Sequence, residues 1–302
     1  MKDLVAAIFA VVGTVSIWFN FLAYNAVAPV ILTRSSLHLG LLASFTTIFV
    51  AFIARPLGAY VFGMVGDRFS SRSSLVLTLT AMGLSTLLIS MITRAWYTVY
   101  ELLMLRIIQG MALGGEWAAA SVLTYESIKG GVGRFLTGMV QLGVPLGMLL
   151  TTLAVIQWRL AFLVGSLLSL SSAVIILALA RGVRPIGWRP TLSIEDFKRI
   201  LRAVGVKFGE SSSFYVYTSV FLIYVNEHEI PILITIAATS LLAFTLLTSI
   251  ALTRADPARV LVIGYVLFTL VNALMFRVQP LILFTLFGLA DAIAYTPQSL
   301  YL

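Results

Sequence analysis

The chain has 302 residues, 60% of them hydrophobic and only 11% charged, with a formal net charge of +8 and a mean hydropathy of +1.03. A soluble domain carries about 25% charged residues, so this chain cannot cover itself with polar side chains and its solvent is lipid. It contains no cysteine, and its two histidines, His38 and His228, are far apart; this excludes disulfides and thiol chemistry and points to no metal and no cofactor, while the surplus of Lys and Arg, without a soluble basic domain, marks cytoplasmic loops rather than a nucleic-acid surface.

A spanning helix needs about 20 consecutive apolar residues, and the two-residue alternation of a barrel strand is absent. Apolar runs predict ten helices, over residues 4–32, 39–65, 74–93, 97–127, 133–156, 159–180, 204–225, 230–252, 258–276 and 280–302. The first begins after Lys2 and Asp3, is too long for a signal-peptide core and has no small-residue cleavage site after a short one. Along it Ser16, Asn20 and Tyr24 recur every four residues, an uncharged polar stripe that reads as a cavity face.

Between the second and third runs lies Gly63-Met-Val-Gly66-Asp67-Arg68-Phe-Ser-Ser-Arg72, preceded by Arg55-Pro56-Leu57-Gly58. An acid and two bases in a glycine-bearing turn at a membrane edge read as a cytoplasmic gate, whose charge pairs form and break as halves move; simple positive-inside anchoring leaves Asp67 and the glycines unexplained. In the fourth run Arg106 sits about ten residues in, where a charge costs at least ~2.5 kcal/mol. Gln109 and Glu116, seven apart, share one face. Arg106 reads as a cation for an anionic solute with Glu116 as an intramembrane acid; the alternative is a structural Arg–Glu pair between helices. Gly110–Gly115 has no preceding strand and no Lys-Ser/Thr, so it is helix packing rather than a phosphate loop. Gln141 on the fifth run is a further polar member.

The segment 181–203 is the long polar stretch and divides six helices (1–180, an N-terminal bundle) from four (204–302, an incomplete C-terminal bundle). Ser193-Ile-Glu195-Asp196 within it has the form of a helix cap. Beyond it Lys207 and Glu210 are spaced to pair, Tyr217 lies on the same face, and Asp291 is a carboxylate deep in the last run. The aromatics alone read more simply as packing. Thr253-Arg254-Ala-Asp256-Pro-Ala-Arg259 echoes the Gly66–Arg72 loop at the same place in the second half, as repeat-built transporters do. Of the twenty Lys and Arg, four (Arg34, Arg94, Arg159, Arg277) fall on the side opposite the N-terminus, Arg55 and Arg106 fall within spans, and the other fourteen lie on the N-terminal side. That predicts a cytoplasmic N-terminus in a multi-pass protein of the cell membrane.

These pieces together resemble the major facilitator superfamily. Gly63, Asp67-Arg68 and Arg72 look like its loop 2–3 signature, and Arg106-Ile-Ile-Gln109-Gly110 like its fourth-helix signature. Arg55-Pro-Leu-Gly58, Gly114-Gly-Glu116-Trp117, Gly143-Val-Pro145-Leu-Gly147, Trp158-Arg159-Leu-Ala-Phe162 and Gly205-Val-Lys207-Phe-Gly-Glu210 are similar to the metabolite:proton symporters within it. The resemblance implies an all-α polytopic membrane protein of 6+6 architecture with about ten of twelve helices present. Tyr295-Thr-Pro297-Gln298-Ser-Leu-Tyr301-Leu302 is similar to the segment before helix eleven, which implies a C-terminally truncated chain. The family's Glu-Trp-Tyr/Phe-Asp-Phe run reads Ile17-Trp18-Phe19-Asn20-Phe21 here, without either carboxylate, so proton coupling falls to Glu116, Glu210 or Asp291. The implied function is alternating-access transport of a small organic acid or zwitterion, with protons as the coupling ion, lipid as surroundings and no catalytic residue. A facilitative uniporter and a non-transporting remnant stay open; a membrane enzyme would need clustered acids, His or Cys at one interface, and the sequence has none.

Overall fold

The computed structural model describes residues 2–32, 37–92, 98–180, 193–220, 224–226 and 228–301. Arg34, Arg94, the first part of the linker with Arg181, Arg184 and Arg189, and Glu227 lie outside them. The described residues form helices and turns without a strand: α1 Lys2–Leu32, α2 Leu37–Arg68, α3 Ser71–Met91, α4 Thr98–Ser127, α5 Gly130–Met139, α6 Gly143–Ile156, α7 Trp158–Leu179, α8 Ile194–Tyr215, α9 Ile230–Ala251, α10 Pro257–Ala273, α11 Pro280–Tyr295 and the short α12 Gln298–Tyr301. Among the described residues, seven spans are long and apolar enough to cross a membrane. They leave large side chains such as Leu42, Phe45, Phe49 and Ile53 of α2 exposed, which only a lipid solvent makes affordable. The protein is a multi-pass membrane protein of roughly ten helices.

Two predicted spans are each broken, and proline is the cause in both. The expected helix 133–156 is α5 and α6 joined by a 3-10 turn at Val140–Leu142. Pro145 lacks the amide that would bond the Gln141 carbonyl four residues back, and its ring crowds that oxygen. The expected helix 280–302 breaks after Tyr295 because Pro297 does the same to the Ile293 carbonyl. In contrast, the predicted cap and the seventh span are one element. Ser193 and Asp196 form a reciprocal capping box that starts α8, and the helix runs from there to Tyr215, then widens into a π turn over Val216–Val220.

The chain groups into two compact units, Met1–Ile128 with Leu142–Ile186, and Lys129–Gln141 with Gly187–Leu302. In the first unit α2 packs on α4, α3 on α7 and α4, and α1 on α6 and α7. The α2–α4 contact is backbone against backbone: a Cβ added to Gly58, Gly110 or Gly114 would overlap the main chain of Met111, Ala51 or Arg55. The glycine-rich Gly110–Gly115 stretch is therefore a helix-packing surface. In the second unit α9 and α10 pack on α11, and α5 packs on α9 and α12. Its core stacks Tyr217, Phe268, Phe284 and Phe287.

Candidate functional site

Arg106 projects from α4 into the first unit and is wholly buried. Its guanidinium donates to Asn25 Oδ1 at 2.7 Å and Gln109 Oε1 at 2.8 Å, with a longer contact of 3.5 Å to the Thr47 carbonyl. It also lies 4.2 Å from the ring centre of Tyr24 and 4.5 Å from that of Phe21. The cage is itself braced: Gln109 Nε2 donates to Thr86 Oγ1 at 2.8 Å, and the Tyr24 hydroxyl to Thr47 Oγ1 at 3.1 Å. Among the described residues every group around the cation is neutral, and no carboxylate pairs with it. A hydrogen bond to a charged group contributes about 1.5–3 kcal/mol and a desolvated cation–π contact about 2 kcal/mol. Such contacts orient the guanidinium and replace part of its hydration, yet leave its full charge in place. Of its five N–H donors, three are used among the described residues. The planar fork has the geometry that matches a carboxylate bidentately.

Glu116, also fully buried, is ten residues along α4 from Arg106, or about 15 Å at the helical rise. It accepts a short hydrogen bond from the Thr14 hydroxyl on α1, and its Oε2 has no partner among the described residues. The Arg–Glu pair that the sequence left open is not formed. The two charges meet α1 at different levels, Arg106 at Asn25 and Glu116 at Thr14, as an antiparallel crossing requires.

The stripe on α1 divides. Tyr24 serves the Arg106 cage. Asn20 donates from Nδ2 to the Gly165 carbonyl and to Ser169 Oγ, both at 3.1 Å, and Ser16 Oγ lies 2.8 Å from Ser169 Oγ. A Cβ on Gly165 would overlap Asn20 Oδ1, so this glycine is what lets α1 and α7 join through polar groups. Gln141, buried in the 3-10 turn between α5 and α6, is grouped with the second unit.

In the second unit Lys207 and Glu210 pair on α8 as their spacing predicts. The Lys207 Nζ lies 4.2 Å from the Tyr295 ring centre. Asp291 on α11 is 1% exposed, interacts electrostatically with both Glu210 and Lys207, and keeps Oδ1 without a hydrogen-bond partner among the described residues. The Tyr265 hydroxyl bonds the Val206 carbonyl beside them. Tyr217 is not part of this cluster. The π turn directs it into the aromatic core, stacked on Phe287 at 4.5 Å with its hydroxyl 3.2 Å from the Val271 carbonyl.

Asp67 and Arg68 end α2 and are exposed. Ser70 caps α3 by accepting from the Ser73 amide at 3.0 Å, and Arg72 donates to the Leu177 carbonyl of α7. Gly66 lies beside Ser74, whereas a Cβ on Gly63 would meet nothing. Gly63, Gly66 and Asp67 line a groove of about 190 Å³ between α2 and α4, with Ser71 and Glu126 at its rim. The Ser71 hydroxyl is 3.3 Å from Glu126 Oε2. The second-half echo differs in use: Asp256 itself caps α10, accepting from the Ala258 amide at 3.2 Å.

Asn25, Thr47, Thr14, Ser169 and Tyr265 hold the predicted residues in place and were not picked out in the sequence. Asn25 falls five residues after Asn20, off the four-residue stripe, and the others are single hydroxyls on apolar helices.

A family model described as "Major Facilitator Superfamily" matches residues 10–302. The chain is 38% identical over 156 residues to the shikimate transporter of Escherichia coli (strain K12), a match covering 49% of this chain and 36% of that protein. It is 32% identical over 125 residues to a proline/betaine transporter of the same strain, covering 39% and 25%. The matched stretches thus span about a third or less of these relatives' length. Among solved structures, the proton:xylose symporter XylE bound to 6-bromo-6-deoxy-D-glucose superposes with a TM-score of 0.70 over 98% of this chain and 80% of that one, at 14% identity; that likeness is one of fold.

Proposed function

Because the chain belongs to the Major Facilitator Superfamily, we propose that it is a secondary transporter that carries a small organic acid or zwitterion across the cell membrane by alternating access, driven by protons. The observation that carries this reading is the buried Arg106 held by neutral groups alone: a cation fixed in place and left for an anion to neutralise. The similar proteins are named for shikimate, proline and betaine, and these solutes share a carboxylate, the group that Arg106's fork fits. The halves 1–180 and 204–302, joined by the basic segment 181–203, are the bodies that rock. Asp67, Arg68 and Arg72, with Gly63 and Gly66, act as the cytoplasmic gate, and the N-terminus is cytoplasmic. The solute is moved, not converted, so it is recovered unchanged.

Isothermal titration of the purified chain with a panel of small carboxylates and betaines tests this. At least one binds, and Arg106→Lys weakens it, because a point charge replaces the fork. Affinities equal in the variant and the wild type would refute the assignment of Arg106. A facilitative uniporter is the second reading, favoured by Asn20, an uncharged residue engaged with Gly165 and Ser169; it predicts equal uptake with and without a proton gradient.

A further inference from the structure

The first unit's site accounts for a solute and holds one buried carboxylate, Glu116, bonded to Thr14 and apart from any cation among the described residues. The second unit holds a charge cluster that this solute chemistry does not use. On α8, Lys207 and Glu210 form an ion pair, and Ser211 Oγ lies 3.4 Å from Glu210 Oε2. On α11, which packs on α8, Asp291 is buried one turn before Tyr295, feels the charges of Glu210 and Lys207, and has Oδ1 lacking a partner among the described residues. Tyr295 covers the ammonium, and α10 adds Tyr265. Among the described residues the remaining neighbours bring no further charge to it: α9 has no ionisable residue from Ile230 to Ala251, α12 carries only the exposed Tyr301, and Arg259 of α10 is exposed beside Asp256.

One ammonium and two carboxylates sum to a single negative charge when all are ionised. A net charge on helices surrounded by lipid is unfavourable, and one proton removes it. Glu210 already has Lys207 and Ser211 as partners; Asp291 has the vacant oxygen. Lys207, whose side chain is 37% exposed, gives the cluster a polar way out.

We propose that Lys207, Glu210 and Asp291 form a one-proton site in which Asp291 loads and unloads the coupling proton, a proposal that rests on the transport reading above. The step is an acid–base exchange: Asp291 forms one O–H bond with a proton taken from water on one side and releases that proton on the other, with no bond of the solute altered. Loaded with one proton the cluster is neutral, and unloaded it carries a single negative charge. Glu116, hydrogen-bonded to Thr14 in the first unit, is outside this site.

Infrared titration of the full chain in lipid, reading the protonated-carboxyl stretch against pH, tests the site without any solute. Asp291→Asn abolishes the titrating band and Glu116→Gln keeps it. Lys207→Met, which removes the compensating charge, brings in a second proton and about doubles the band. In proteoliposomes Asp291→Asn ends gradient-driven accumulation while solute exchange persists. A band that survives Asp291→Asn, disappears in Glu116→Gln, is missing from the wild type at every pH, or is displaced by sodium at constant pH would overturn the proposal. Failure of the wild type to transport any solute would instead count against the transport reading, with the infrared result standing separately.

Discussion

The Arg106 guanidinium is held by neutral groups from three helices, and altering one of them separates two roles. Asn25→Asp places a carboxylate where the amide oxygen now accepts at 2.7 Å. The neutralised cation then has less need of a ligand, so the variant melts at a higher temperature in detergent and loses carboxylate binding. Asn25→Ala leaves a buried donor unpaired, at about 1–3 kcal/mol, and melts lower. If Arg106 were only a brace between helices, the Asp variant would gain stability and keep binding. Arg106, Gln109 and Glu116 stood out in the sequence because charge and amide are rare in apolar runs. Their partners did not, since Asn25 and Thr47 come from other helices, and their value arises only when the helices pack. Tyr217 shows the limit from the other side: face-sharing at 100° per residue assumes an unbroken α-helix, and the π turn at Val216–Val220 rotates that side chain into the Phe284–Phe287 core.

Single helices also respond in predictable ways. Gly58→Ala drives a methyl into the Met111 backbone, where only movement of α2 away from α4 relieves the overlap; overpacking of this kind costs about 1–3 kcal/mol or more, read as a lower melting temperature. Gly63→Ala meets open space and folds as well as the wild type, since alanine favours the helix by about 0.5–1 kcal/mol. Pro145→Ala restores the amide that the Gln141 carbonyl lacks, and hydrogen–deuterium exchange across 140–146 slows as the 3-10 turn joins α5 to α6. The helices themselves were legible because length and hydropathy decide them. The breaks at Val140–Leu142 and after Tyr295 were not, although Pro145 and Pro297 were in view. Membrane helices tolerate proline where neighbours re-satisfy the backbone, as α2 does at Pro56, and the sequence does not say where that support is missing.

In the proposed carrier, the whole molecule keeps its gate residues and its solute residues apart. Gly63→Ala should therefore fold normally and bind solute normally, yet slow uptake, because the added methyl obstructs closure at the cytoplasmic edge. The orientation is testable with the same chain, which contains no cysteine: a cysteine introduced at Lys198 reacts with an impermeant maleimide in inside-out vesicles and not in intact cells, and the reverse pattern would invert the topology. The most direct measurement is uptake of labelled small carboxylates and betaines into proteoliposomes containing the 302-residue chain, with and without an inward proton gradient. At least one solute is expected to accumulate above its external concentration only with the gradient, to be recovered unchanged, and to fail to accumulate in Arg106→Lys. No uptake of any member, uptake indifferent to the gradient, or accumulation undiminished in Arg106→Lys would contradict it.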